Sequence, residues 1–135
     1  MKPRIVNPPA LGPPKGFSHG VAAGDLLFVA GQVGATPAGD GTWRVVSTDF
    51  AAQFDKALEN VLAVVEAAGG SAADLVEMTV FVTDLAAYRA ARPKLASIWK
   101  SRLGRHYPAM TLVAVAGLLE EGALVEIRAV AAVAL

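Results

Sequence analysis

The chain has 135 residues, about the size of one domain. Twelve lysines and arginines balance twelve aspartates and glutamates, so the sequence lacks the basic excess typical of nucleic-acid-binding proteins. It contains no cysteine, which excludes disulfides, thiolate zinc sites and cysteine nucleophiles. Only 18% of the residues are charged and 54% are hydrophobic, so we expect a homo-oligomer that buries apolar surface between copies.

The sequence shows no segment typical of export or membrane insertion. Residues 1–9 lack the apolar core of a signal peptide. The uncharged stretch 106–119 is shorter than the roughly 18–20 residues that span a bilayer. We therefore expect a cytoplasmic protein that does not enter a membrane.

The first third of the chain predicts short strands and loops. Prolines and glycines crowd residues 1–16, which predicts an irregular lead-in. A short strand is predicted at 18–23, and the apolar run 26–30 predicts a buried strand. Residues 31–41 are rich in Gly, Pro and Asp, which predicts a loop that leads into a short strand at 43–46.

A helix is predicted after Ser47-Thr48-Asp49, which offers a hydroxyl for the N-cap and an acid for the first turn. Apolar residues then recur at helical spacing: Phe50, Phe54, Ala57, Leu58, Val61, Leu62 and Val65. Gly69-Gly70 is expected to end this helix.

The second half predicts a strand at 75–82, a helix at 88–103 and strands at 110–115 and 124–134. Because proline is costly inside a helix, Pro93 is expected near the helix start or at a kink.

The order of strands and helices predicts an α+β fold, a single domain over residues 1–135 with two helices on one face of a mixed sheet. The uncovered face is expected to be apolar, through Val113, Val115 and the C-terminal strand. Such a face favours a partner copy.

Glu126 is the most informative polar residue, because a carboxylate in an otherwise apolar strand is costly unless it is paired or acts on water. Alternation places Arg128 on the same face, so an in-strand ion pair or an exposed edge is the simpler interpretation.

His19 and His106 lack metal-binding spacing, and no metal site is predicted. His19 is more often a hydrogen-bonded histidine than a base. Arg105 most simply lies near a helix C-terminus.

Several segments occur in the order and spacing of one protein family. They are SHGV at 18–21, GDLLFVAGQ at 24–32, LENV at 58–61, EAAG at 66–69, TVFVTDL at 79–85, YPA at 107–109 and GALVEI at 122–127. Through them the chain resembles the RidA/YjgF/YER057c/UK114 family over nearly its whole length. The resemblance implies a chorismate-mutase-like fold and a homotrimer with small-molecule clefts between subunits. It also implies hydrolysis of reactive enamines and imines to 2-keto acids and ammonia, with no metal or organic cofactor.

The resemblance also assigns roles to residues, and the chain departs from the family at the most important of them. In deaminating members the arginine after Pro-Ala holds the substrate carboxylate, and here that position is Met110, which cannot do so. A serine often precedes Gly-Gln, where this chain has Ala30, and Phe17 takes the place of an N-terminal tyrosine. The polar residue usual in the second helix falls near Arg92.

Other positions of the family pocket are retained. Glu126 stands where the family positions the hydrolytic water, and Gly31-Gln32 is kept. His19 lies in a matching segment, and Tyr107 is a further candidate for the pocket wall. The resemblance therefore implies a pocket that keeps its acid and loses its carboxylate anchor.

Three functions are compatible with these residues. The first is a hydrolase for a substrate other than the short 2-imino acids, with Arg92 or Arg105 of a neighbouring copy as the replacement cation. The second is a non-catalytic small-molecule-binding trimer, its cleft shaped by Met110, Phe17 and Leu112. The third, a ribonuclease or translation inhibitor, is the weakest because the net charge is zero and no aromatic and basic stripe is present.

Overall fold

A computed structural model describes residues 2–133 and contains one main sheet with two helices. The elements are β1 (Arg4–Val6), β2 (Gly20–Ala23), β3 (Leu26–Val33), β4 (Ala35–Pro37), β5 (Trp43–Val45), α1 (Phe50–Ala67), β6 (Leu75–Val82), α2 (Leu85–Leu103), β7 (Ala109–Ala114) and β8 (Val125–Ala132). The predicted strand at 124–134 includes residue 134, which lies outside the described residues.

The six strands of the main sheet are ordered β1-β2-β3-β8-β6-β7, and β4 pairs with β5 as a separate hairpin. Neighbouring strands of the main sheet are antiparallel except for the parallel pair β6 and β7, which α2 connects. This connection follows the rule that parallel strands need a long crossover. The predicted α+β fold with a mixed sheet is confirmed.

Both helices pack on the same face of this sheet, as predicted. Leu58, Val61 and Val65 of α1 are fully buried. They belong to one core with the inward-facing residues of β8, such as Ile127 and Ala129, which are equally inaccessible. Because residues in a strand alternate between faces, this leaves Glu126, Arg128 and Val130 on the other side of the sheet.

The helix ends differ from the predicted ones in their capping chemistry. The N-cap of α1 is the carboxylate of Asp49, which accepts from the Ala52 backbone N–H, so the expected hydroxyl cap was wrong. In α2 the N-cap is Asp84, and the helix starts at Leu85, earlier than the predicted 88. Pro93 therefore lies inside α2, rather than near its start.

Two segments predicted as irregular contribute strands. Within the lead-in 1–16, Arg4–Val6 pairs with β2, and a 3-10 turn follows at Pro9–Leu11. The predicted loop 31–41 contains the end of β3 and all of β4. The prediction of irregular structure from the proline and glycine content was wrong for these residues. The short strands are stabilised by pairing with distant residues rather than by their own propensity.

Among residues 2–133 no helix covers the second face of the sheet. An apolar row crosses four strands of this face, since Ile5 pairs with Val21, Val21 with Phe28, and Phe28 with Val130. Val113 also lies exposed on β7. Val115 lies one residue beyond the end of β7, and its N–H donates to the Val82 carbonyl. The apolar surface is interrupted on β8 by Glu126 and Arg128.

The side chain of Gln53 connects α1 to the loop before β8. Its amide nitrogen donates to the backbone carbonyls of Ser47 and Gly122, and its oxygen accepts from the Leu124 N–H.

We expect Gln53→Ala to lower the free energy of unfolding by about 3 kcal/mol, since it leaves buried backbone groups unpaired. Urea denaturation measures this. Lys56→Ala, which removes a surface ion pair with Glu59, is the control and should change stability by less than about 1 kcal/mol. Equal effects of the two substitutions would contradict the prediction.

Candidate active site

A bulge in β3 places the Glu126 side chain against a glycine. Val29 pairs with Ala129 and Gln32 with Ile127, so Ala30 and Gly31 together face one residue of β8. A methyl group at Gly31 would lie 2.8 Å from both Cδ and Oε2 of Glu126. Only glycine leaves room there for this carboxylate position.

The Glu126 carboxylate is partly buried and forms no hydrogen bond or ion pair with any residue in the range 2–133. Burial raises its pKa above the usual glutamate value, and no nearby cation opposes this shift. The predicted in-strand ion pair was wrong, because Arg128 Nη1 lies 3.2 Å from Glu77 Oε1 on β6. Nor is β8 an edge, since it runs between β3 and β6. An acid with a raised pKa in a cleft is typical of a proton-transfer group.

His19 is held in a hydrogen-bond network that fixes the wall of the cleft. Its Nε2 lies 3.1 Å from the Gly12 carbonyl and its Nδ1 lies 3.4 Å from the Gln32 amide nitrogen. These partners require a neutral ring that donates from Nε2 and accepts at Nδ1. Burial lowers the pKa of His19, while the bond to Gly12 acts in the opposite direction. His19 is thus a hydrogen-bonded histidine rather than a base.

The cavity beside the bulge, here called the acid cleft, has a volume of about 350 Å³. Its lining residues are Leu11, Phe17, His19, Ala30, Gly31, Gln32, Val33, Ala35, Trp43, Asn60, Leu119, Glu120 and Glu126. Phe17 and His19 meet edge to face with ring centroids 5.2 Å apart, and Trp43 packs against both rings. The cleft therefore has an aromatic, mostly apolar wall that also carries two carboxylate side chains, those of Glu120 and Glu126. Small-molecule sites usually combine an apolar wall with a few polar groups in this way.

A second cavity of about 320 Å³, the helix cleft, lies between α2 and the edge strand β7. Its lining residues are Phe54, Val80, Tyr88, Arg92, Leu95, Ala96, Trp99, Tyr107, Met110 and Leu112. The predicted site residues thus divide between two cavities, with Arg92, Tyr107 and Met110 in this one.

Glu126 of the acid cleft and Met110 of the helix cleft lie on opposite faces of the sheet. Glu126 pairs with Phe81, and Phe81 with Val113, on the face without helices. Met110 pairs with Met78, a fully buried residue of the face that the helices cover. Because side chains alternate along β6, Met78 and Phe81 point in opposite directions. One chain therefore does not bring Met110 and Glu126 together.

Arg105 lies in neither cleft; it is exposed just beyond the end of α2, as its simpler interpretation predicted.

The sequence prediction missed Trp43, Leu119 and Glu120 in the acid cleft and Tyr88 in the helix cleft. Aromatic character was the only available signal for Trp43 and Tyr88. Leu119 and Glu120 come from a loop with no recognisable pattern.

Within residues 2–133, no three His, Asp or Glu side chains are grouped so that they could hold a metal ion. Neither helix in that range combines the length and apolar character needed to cross a bilayer.

Gly31→Ala should displace the Glu126 carboxylate without unfolding the protein, because the flexible end of the glutamate can give way. We expect the pKa of Glu126 to fall towards its usual value as the group moves into water. A carboxyl-carbon NMR titration measures this. Gly117→Ala is the matched control, since a methyl group there meets no atom within 4 Å. An unchanged Glu126 titration in Gly31→Ala would contradict the proposed steric relation.

Glu126→Gln should make the protein more stable at neutral pH. The raised pKa means that the folded state favours the protonated acid, so wild-type stability falls as pH rises through that pKa. The stability gain of the variant should therefore vanish below the usual glutamate pKa. Chemical denaturation across pH tests this, with Glu121→Gln as an exposed control that changes stability by less than about 0.5 kcal/mol. A loss of stability at neutral pH would show that the carboxylate is paired.

Comparison with known proteins assigns the chain to a family. Residues 8–133 match the model of the family described as Endoribonuclease L-PSP. A RutC family protein of Haemophilus influenzae is 37% identical over 124 residues, covering 92% of this chain and 89% of that protein. The 2-iminobutanoate/2-iminopropanoate deaminase of Escherichia coli is 34% identical over 124 residues, covering 92% of this chain and 90% of that protein.

The fold agrees with a solved structure as well. The crystal structure of Escherichia coli TdcF with bound serine superposes with a TM-score of 0.81 at 31% identity, covering 97% of this chain and 99% of that one. The sequence matches and the fold agree, and the chain belongs to the Endoribonuclease L-PSP family, which is the RidA/YjgF family that its motifs resemble.

Proposed function

We propose that the protein hydrolyses an enamine or imine metabolite to a carbonyl compound and ammonia, in a cleft completed by a second copy of a homotrimer. The observation that carries the proposal is the unpaired Glu126 carboxylate, held against Gly31 in a cavity with an apolar wall. A relative of similar length is named as a deaminase of 2-iminobutanoate and 2-iminopropanoate. This name supports the reaction class.

Glu126 is the proposed catalytic residue. Its raised pKa makes its ionised form a better proton acceptor than an ordinary glutamate. Ionised Glu126 accepts a proton from water as the water oxygen bonds to the carbon of the protonated imine, and the C=N electron pair moves onto nitrogen as a lone pair. The proton on Glu126 then passes to the same nitrogen. The C–N bond breaks with its electron pair on nitrogen, which leaves as ammonia, and the hydroxyl group becomes a carbonyl after it loses its proton.

A second copy is needed because Glu126 of the acid cleft and Met110 of the helix cleft lie on opposite faces of the sheet in one chain. The apolar row from Ile5 to Val130 supports the same conclusion, since this uncovered face favours association. In the proposed homotrimer, the helix cleft of one copy faces the acid cleft of its neighbour. The reaction requires no metal or organic cofactor.

Met110 bears on which substrates are used. A thioether gives a carboxylate no charge-assisted hydrogen bond, and the loss of one such contact costs about 3 kcal/mol, or about a hundredfold in rate. Short 2-imino acids offer few other contacts. We therefore propose a substrate other than those short acids.

The second candidate is a non-catalytic small-molecule-binding trimer. Met110 favours it, because the replacement of the family's anchoring arginine removes substrate binding without altering the fold. In this case Glu126 is a ligand-binding group only.

The test is ammonia release from 2-aminoacrylate and 2-iminobutyrate, each generated in the assay by a dehydratase. We expect slow turnover by the wild type and at least about tenfold faster turnover by Met110→Arg, since arginine restores a bidentate carboxylate contact. Met110→Leu is the size-matched control and should resemble the wild type. Adding Glu126→Gln to Met110→Arg should abolish the gain.

No turnover by either the wild type or Met110→Arg would favour the binding protein over the hydrolase. Turnover that survives Glu126→Gln would contradict the role of this acid.

A further inference from the structure

The helix cleft contains one charged side chain among the described residues that line it, and this is Arg92. The remaining lining is aromatic or aliphatic. Arg92 is exposed on α2, and Met110 lines the same cavity from β7. A cation is therefore present in the cleft where Met110 supplies none, but it comes from a helix and not from the strand.

Arg92 pairs with no carboxylate in the described part of the chain. By contrast, Arg102 on the same helix binds the carboxylates of both Asp55 and Glu59. An unpaired guanidinium at an apolar cavity keeps its donors available for a carboxylate or phosphate.

Two aromatic rings with parallel planes line the same cavity as Arg92. The Trp99 and Tyr107 rings stack with an interplanar angle of 3° and centroids 6.1 Å apart. Trp99 is fixed by a 3.1 Å hydrogen bond from its Nε1 to the His106 carbonyl, while Tyr107 is 72% exposed. Aromatic faces held in place in this way favour an apolar or aromatic group of a ligand.

From these contacts we infer that Arg92 binds the anionic group of the ligand and that the Trp99–Tyr107 wall receives a bulky apolar group. The substrate class is then a carboxylate-bearing imine or enamine with an aromatic or branched aliphatic side chain. This inference rests on the proposed function for the reaction, but binding in the helix cleft is independent of turnover. Arg92 is thus a specificity-determining residue.

The test uses three stable probes: phenylpropionate, its neutral amide and propionate. Titration calorimetry measures their dissociation constants with the full-length protein. We expect phenylpropionate to bind the wild type at least about tenfold more tightly than either other probe. Arg92→Gln should remove the preference for the acid over its amide, and Arg92→Lys should restore part of it. Arg89→Gln is the matched control, because Arg89 is an exposed arginine on the same helix that lines neither cleft.

Trp99 reports whether the probe is in the helix cleft. The chain has two tryptophans, so Trp43→Phe leaves Trp99 as the only one, and phenylpropionate should change its fluorescence. Equal affinity for acid and amide, no effect of Arg92→Gln, or unchanged Trp99 fluorescence at saturation would overturn the inference. Arg92-dependent binding without turnover of any imine would support it and contradict the proposed function. Imine turnover that is insensitive to Arg92→Gln would contradict this inference and support the proposed function.

Discussion

The alternation of side chains along β8, β6 and β7 constrains everything that this site can do. It directs Glu126 to the sheet face without helices and Met110 to the face that the helices cover. A chain with this register has two separate cavities, each with part of the chemistry that the proposed reaction needs. The acid cleft holds a proton acceptor without a cation, and the helix cleft holds a cation without an acid. In the proposed homotrimer, the uncovered apolar row is the surface on which copies associate and bring unlike clefts together.

The acid is maintained by features that are locally unfavourable. The bulge at Ala30 and Gly31 interrupts strand pairing, and the partly buried carboxylate has no partner among residues 2–133. Such violations of local rules are expected at functional sites, where stability is lost in exchange for reactivity. The surrounding polar groups are well satisfied by comparison. His19 and Gln32 bind each other and the backbone, and Asn60 donates to the carbonyls of Val33 and Ala35.

Much of the fold could be predicted from the sequence, since the amphipathic spacing of α1 and the apolar runs of β3 and β6 are local signals. Features that depend on distant pairing could not. The strand Arg4–Val6 forms only because β2 pairs with it, and the partner of Arg128 is Glu77, which lies 51 residues away. The apolar neighbours of Glu126 were the local signal that marked it in the sequence, and its place in the acid cleft required the structure. The separation of Met110 from Glu126 required the sheet register, which composition and periodicity do not reveal.

The central claim is that the helix cleft of one copy faces the acid cleft of another. Cross-linking tests it directly, because the chain has no cysteine and therefore no background. Phe17→Cys marks the acid cleft and Tyr107→Cys marks the helix cleft, and both positions are exposed. When the two variants are co-assembled and treated with a short bismaleimide, we expect a product of twice the chain mass that contains one copy of each. If the co-assembled chains fold but yield no such mixed product, the proposed shared site is contradicted.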